Sequence, residues 1–425
     1  MSVVNKIKAF INRQEFLSYL ITLVLSTLLI GYAPSSIAMG VFVFFSVRYS
    51  VIHKNKIKVD ITLILPILLY LLYGLTLFWS VNQSGTKIGL EKTVVLFVIP
   101  LTFSLLPKFS KKNYNIVFRY FTKINILFGL FFLIVAIVNF FKTRSLSVFT
   151  YHELVSVFNL SAIYVSLIFS ISLFYLLSKK NKSTKDTILI LFFLVLLLLL
   201  SSKIMMFILL IGIFVYAFCN KSINRSKIKL LIVAIAAILI IGIASISVKD
   251  RFLFEKTTMF NEILTKEKFG GVYPWTGSSI RLLQLRILKE QIEEDAIFWK
   301  GFGLFASKEN VKKRHLKFNT YKTFHEYNYH NQYAQMFSEI GIFGLILLIS
   351  MLIVAFIKAF KTKDFFYIMF CVVFSLMFLT ESLLWRQKGL FLFIILYCIF
   401  SRTYSTDRSL DKNQRQLKTV YVKIK

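Results

Sequence analysis

The chain has 425 residues, 57% of them hydrophobic, with a mean hydropathy of +0.69. Soluble domains are about 45–50% apolar, so this composition excludes a soluble globular protein. The formal charge of +32 sits in short Lys/Arg clusters between apolar runs and forms no compact basic domain, which argues against a nucleic-acid binder and for loops facing anionic lipid.

Read in order, the apolar runs give about twelve transmembrane helices, at 16–32, 36–52, 61–79, 88–106, 120–141, 157–177, 187–200, 204–218, 228–248, 334–356, 365–379 and 389–400. The longer runs reach the roughly 20 residues that a spanning helix needs, and the others fall short of it. The seventh and eighth are short and joined only by Ser201-Ser202-Lys203, so one long helix there is the competing count. No small-residue cleavage site follows the first run, which reads as an uncleaved span. The three cysteines, Cys219, Cys371 and Cys398, have neither metal nor disulfide spacing.

Basic clusters at 53–58, 108–112, 179–185, 221–229 and 358–363 alternate with loops at 31–35 and 79–86 that carry no Lys or Arg. The positive-inside rule then places both termini in the cytoplasm. The expected organisation is an all-α polytopic membrane protein. An N-terminal bundle of about nine helices covers 1–248, a large periplasmic segment covers 249–333, C-terminal helices cover 334–402, and a basic tail covers 403–425. Within the large segment Ser278 or Ser279 is placed to cap a helix. Leu282, Leu285, Leu288 and Ile292 would form its apolar stripe.

The densest polar stretch, His325 to Gly341, runs from that segment into the tenth span. On the outer face an enzyme has no nucleotide sugar and must use an already activated donor, such as a sugar on a polyprenyl diphosphate. That chemistry needs cations for the leaving diphosphate and a base for the acceptor hydroxyl. Histidine is the side chain that changes charge near neutral pH, which makes His330 the candidate base. With the tenth helix starting near Asn331, the residues Asn331, Gln332, Gln335, Ser338 and Glu339 would form one polar face. Polar groups at the start of a span face a bundle interior or an aqueous cavity. The plainer alternative is a helix cap beside interfacial tyrosines. Arg281 is the leading cation, with Lys203 and Arg386 as further candidates. Arg386 is also five residues from a possible partner, Glu381. No metal-ligand spacing, Walker A, GxGxxG or GxSxG motif occurs, and no cofactor is expected.

These residues resemble the O-antigen ligase/polymerase superfamily of bacterial surface-polysaccharide enzymes. The similarity rests on Ser201-Ser202-Lys203, on Arg281 followed by Gly301-Phe302-Gly303, on His330-Asn331-Gln332-Tyr333-Ala334-Gln335 with Glu339-Ile340-Gly341-Ile342-Phe343-Gly344, and on Glu381 before Arg386-Gln387-Lys388-Gly389. Lys203 stands where many relatives carry Arg. The resemblance implies a metal-independent, inverting transfer of a glycan from undecaprenyl diphosphate at the periplasmic face of the inner membrane. Arg281 would bind the diphosphate, and His330, with Glu339 on its helix, would serve the acceptor. Lys203, Arg386, Asn331 and Gln335 complete the expected site. The ligase reading, with lipid A-core as acceptor, is preferred on the Glu381 to Gly389 piece. A polymerase joining lipid-linked repeats is the alternative, and a polysaccharide transporter a more distant one.

Overall fold

The structure is a computed structural model and describes residues 3–58, 60–219, 259–270 and 273–403. The expected span at 228–248, the basic cluster at 221–229 and most of the tail lie outside the described residues. Among the described residues all regular secondary structure is helical. Five helices there are long and apolar enough to cross a membrane: Tyr32–Ile52, Ile61–Phe78, Gln83–Leu105, Lys111–Thr143 and Gln332–Thr362. Ala162–Ser178, Lys203–Cys219 and Phe365–Met377 are apolar but shorter.

Polar residues at the apolar boundaries start these helices. Asp60 accepts from the Thr62 amide, Ser110 from Asn113, and Asp364 from both Phe366 and Tyr367. Each satisfies amides that would otherwise be orphaned at a helix start. Ser183 and Asp186 form a reciprocal capping box ahead of Thr184–Leu199. That helix ends at Leu199, and Lys203–Cys219 begins after a turn at Ser201, which has a φ of 49°. The chain therefore breaks at Ser201-Ser202, and the single long helix that competed with two short ones does not form.

Phe365–Met377 and Gln387–Arg402 are enclosed along nearly their whole length. Their rings pack with those of other helices, Phe118 against Phe366 and Phe400, and Phe370 against Phe393. Helices such as Lys111–Thr143 instead leave a row of apolar side chains uncovered, Leu127, Ile134 and Phe141 among them, as expected where lipid is the neighbour. At one end of the bundle Lys358 Nζ reaches Asp60 at 2.7 Å.

The helix Gln332–Thr362 is not straight. Gly341 interrupts it at φ 71°, ψ −162°. A straight 31-residue helix would be about 46 Å long. Yet the Gln332 amide donates to the Phe378 carbonyl at 2.7 Å, and Phe378 stands only about 20 Å along the next helix from Phe365. Those distances close only if the arm 332–340 turns from the arm 342–362 by nearly a right angle or more. The short arm thus crosses the bundle end, from Tyr73, whose hydroxyl meets Met336 Sδ, to Ser375, whose carbonyl accepts from the Tyr333 hydroxyl.

The turn is sealed by the segment 297–303. Phe302 and Gly303 amides donate to the carbonyls of Ser338 and Glu339 at 2.9 and 2.8 Å, and the Ile342 amide donates to Phe298 O at 2.8 Å. Backbone groups freed by the break are therefore re-paired, as buried amides and carbonyls require. Gly341 and Gly301 are needed here. Both have positive φ, and a Cβ on either would lie against the other segment's backbone, at Trp299 and Glu339 respectively.

The helix Gly277–Glu294 differs from expectation in its cap and its buried face. Thr276 is the N-cap, in a reciprocal box with Ser279, and Ser278 and Ser279 lie inside the helix. The enclosed face is Ile280, Leu283 and Ile287 with Gln284 and Gln291, while Leu285 is exposed. The two glutamines turn inward because each finds a buried partner. Gln284 meets His315 Nε2 at 2.9 Å, and Gln291 accepts from the Tyr329 hydroxyl. Leu282, Leu288 and Ile292 take partly buried flanks.

Candidate functional site

Three chain segments converge on one carboxylate. Arg281, in the second turn of Gly277–Glu294, donates from Nη2 to Glu381 Oε1 at 3.2 Å, from Nε to Thr380 O at 3.0 Å and from Nη1 to Gly277 O at 3.0 Å. On its other oxygen Glu381 faces His330 Nδ1 at 3.6 Å. That is an ion-pair distance but too long for a hydrogen bond. Arg281 and His330 remain 30% and 27% exposed, against 12% for Glu381. The carboxylate is thus set behind a cation and an imidazole that both still reach solvent. A guanidinium has five N–H groups. Three are engaged here, leaving one free on each Nη to receive a second anion edge-on.

The backbone around His330 is unusual. His330 has a φ of 45°, its amide donates to Asn328 Oδ1 at 2.9 Å, and its ring meets Tyr327 edge-on at 5.0 Å. Histidine tolerates the left-handed region better than most residues, but such a position is a constrained one. Asn331 follows as the N-cap, accepting from the Ala334 amide at 3.0 Å. Gln332 then fixes the arm to the segment carrying Glu381, since its side-chain oxygen accepts from the Leu384 amide at 2.7 Å.

Gln335 and Glu339, expected beside His330, belong to a second, enclosed network. Glu339 Oε1 accepts from Gln335 Nε2 at 2.6 Å, Trp385 Nε1 at 3.1 Å and Ser307 Oγ at 3.4 Å. Beside it is a cavity of about 10 Å³ lined by Tyr73, Gln332, Met336 and Trp385 among others, room for about one water. Ser338 shares the buried side of the arm and pairs with the Tyr329 hydroxyl at 2.6 Å. Burial holds that phenol above its ordinary pKa, so it stays a neutral donor. The polar face expected of the arm exists, turned inward and hydrogen-bonded.

Two further candidates stand apart in character. Lys203 opens the Lys203–Cys219 helix, half-buried. Arg386 is exposed, with its guanidinium 5.9 Å from the Trp385 ring. Glu381 turns to Arg281 and His330 instead of the Arg386 pairing considered from the sequence. Glu381 is the residue that the expected site lacked. Its signal was an acid at the end of an apolar run, and Arg386 was the nearest visible partner. Trp385 and Ser307 carried no signal, because their part depends on contacts far along the chain. Among the described residues no three His, Cys, Asp or Glu side chains converge as a metal site would require.

No curated protein matches the chain. Residues 187–349 match the family model described as O-Antigen ligase. The matched segment contains Lys203, Arg281, the Gly301–Gly303 loop, His330 and the broken helix through Gly341, and Glu381 lies beyond it. That domain match supports the O-antigen ligase superfamily for this chain.

Proposed function

We propose that this protein is a ligase-type membrane glycosyltransferase, moving a glycan from undecaprenyl diphosphate onto lipid A-core at the periplasmic face of the bacterial inner membrane. About twelve spans, with both termini cytoplasmic and 249–333 outside, would put the Arg281–Glu381–His330 centre on that face. The family match supports the lipid-linked glycan as substrate class. The observation that carries the reading is the convergence of a half-open arginine and a half-open histidine on one shielded carboxylate.

In this mechanism the free Nη1 and Nη2 edge of Arg281 receives the donor diphosphate. His330 takes the proton of the acceptor hydroxyl. The acceptor oxygen bonds to the anomeric carbon as the bond from that carbon to the phosphate oxygen breaks, and undecaprenyl diphosphate leaves with the electron pair. Inversion follows from this single displacement, which uses no metal. Glu381 steadies the imidazolium that forms. It now shares Arg281, and an incoming diphosphate competes for that cation, which frees the carboxylate to close on His330. Lys203 and Arg386 supply further positive charge to the donor. Asn331, Gln335 and Glu339 hold the arm on which His330 is mounted.

Transfer from a labelled undecaprenyl-diphosphate glycan to lipid A-core, by purified protein in vesicles, tests the reading. His330→Ala and Arg281→Ala should insert normally and lose transfer. Full transfer by both variants would sink it. In a deletion strain, loss of the lipopolysaccharide ladder with accumulation of lipid-linked polymer marks a ligase. A single repeat on the core marks the polymerase alternative.

A further inference from the structure

The 31 residues of Gln332–Thr362 are about half as long again as a bilayer's hydrocarbon core is thick, if taken as one straight span. The structure offers a different boundary. From the Lys358–Asp60 pair at one end, the helix Ile61–Phe78 rises about 28 Å to Trp79, and the arm above Lys358 rises a similar distance to the break at Gly341. Both reach the same level, since Trp79 Nε1 donates to Lys300 O at 2.9 Å and the Ile342 amide donates to Phe298 O at 2.8 Å. About 30 Å is the thickness of a hydrocarbon core.

At that level aromatic rings are uncovered. Phe78 is 86% exposed, Trp299 64%, Phe343 53% and Phe298 41%. Trp299 lies 5.0 Å from Phe298 and 6.0 Å from Phe343, ring to ring, and Lys300 beside them is exposed. Such a patch would be a liability in water. Aromatic rings with a neighbouring lysine are what the boundary between headgroups and acyl chains favours.

We propose that Phe78, Phe298, Trp299 and Phe343 form a collar seated in the headgroup–acyl boundary of the leaflet opposite the Lys358–Asp60 pair. The arm 342–362 then makes the crossing, and the arm 332–340 lies at the membrane surface. The loop that enters the lipid is the loop whose Phe302 and Gly303 amides hold Ser338 and Glu339. Lipid therefore seats the backbone beneath the His330 arm. It also sets that arm at the height where lipid phosphates lie, whatever reaction occurs there.

The test uses the full chain in phosphatidylcholine vesicles doped with lipid brominated either near the carbonyl end or near the terminal methyl of its chains. Tryptophan emission should be quenched more by the first than by the second, and Trp299→Phe should reduce that difference, the partly buried Trp79 at the same level contributing the remainder. Equal emission in both vesicle types, with Trp299 quenched instead by aqueous acrylamide, would place the loop in water and overturn the proposal. Stronger quenching by the methyl-end bromines overturns it in the other direction. A Trp299 shielded from both quenchers would mean that a second copy of the chain covers the collar, which also overturns it. Should Trp299→Phe fold poorly, a nitroxide at Lys300→Cys with Cys219→Ser reads the same depth. Its accessibility to oxygen and to a polar relaxant should balance near the phosphate level. Dominance of either relaxant refutes the seating.

Discussion

Two arginines of the segment before the broken helix show how similar chemistry is put to different ends. Arg314 is 9% exposed and meets three carboxylates, Glu294 at 2.6 Å, Asp295 at 2.8 Å and Glu290 at 3.2 Å. Arg281 is 30% exposed and meets one, at 3.2 Å. The first is closed, its guanidinium enclosed by three carboxylates that Arg286 and Lys317 also help to balance, so a further anion finds no opening at it. The second keeps two N–H groups unspent and shares its carboxylate with a histidine that is not yet in hydrogen-bonding range. Structural clamps saturate, whereas a centre that must bind something leaves capacity unfilled. Glu339, enclosed and accepting from three side chains, falls with the clamps although it shares a helix with the His330 segment.

The sharpest way to break this comparison is on activity. His330→Ala should lower transfer by roughly 10²- to 10⁴-fold, the usual contribution of a positioned acid or base, with thermal unfolding unchanged. Glu339→Gln should lose about tenfold or less in transfer and should shift unfolding instead, since a buried hydrogen-bonded carboxylate is being altered. If Glu339→Gln abolished transfer at wild-type stability, Glu339 would belong to the chemistry and the division into open and closed groups would fail.

Stability separates the two arginines. Arg314→Leu removes the cation held closest to Glu290, Glu294 and Asp295, leaving Arg286 beside Glu290 and Lys317 beside Glu290 and Glu294, and should cost about 1–3 kcal/mol. The figure is reduced from that of a fully buried pair because Glu294 is half exposed. Arg281→Leu should cost about 1 kcal/mol or less on the same scale while removing donor binding. Chemical denaturation of the two variants in matched detergent reads the difference, and equal losses would erase it.

Much of this was legible in the residues. Apolar runs with capping residues at their edges marked helices that the structure contains, because burying apolar length and satisfying end amides are local requirements. His330 was legible as a histidine at the edge of an apolar run, and Arg281 as a cation on a helix of the polar segment before it. Their junction was not, since Glu381 lies about fifty residues from His330 and a hundred from Arg281. The break at Gly341 was equally hidden. Glycine within an apolar run signals little until a second segment, here 297–303, supplies the amides that hold it open. The stripe assigned to Leu282, Leu285, Leu288 and Ile292 turned the exposed Leu285 inward and missed the true centre of the buried face, because apolarity alone was used to choose it. Gln284 and Gln291 are buried by hydrogen bonds that no periodicity shows.

The smallest effect concerns Gln284's partner. His315 is fully buried between Gln284 and Thr320. Burial, with a lesser contribution from His325, lowers its pKa from 6.5 to about 4. A histidine whose folded pKa is depressed is neutral in both states above pH 6.5, so its contribution to stability is complete there. Below pH 6.5 the unfolded chain takes up a proton that the folded chain refuses, and stability falls until the folded state also titrates near pH 4. The denaturation midpoint should therefore decline between pH 6.5 and about 4. His315→Gln, which keeps a neutral side chain of similar reach, should flatten that part of the curve while lowering stability at neutral pH by about 1 kcal/mol for the disturbed hydrogen bonds. The closed clamp gives the necessary contrast. Arg314→Leu should lower stability at neutral pH, whereas His315→Gln should reduce the slope between pH 6.5 and about 4. An unchanged slope in His315→Gln would mean that the proton is taken up elsewhere.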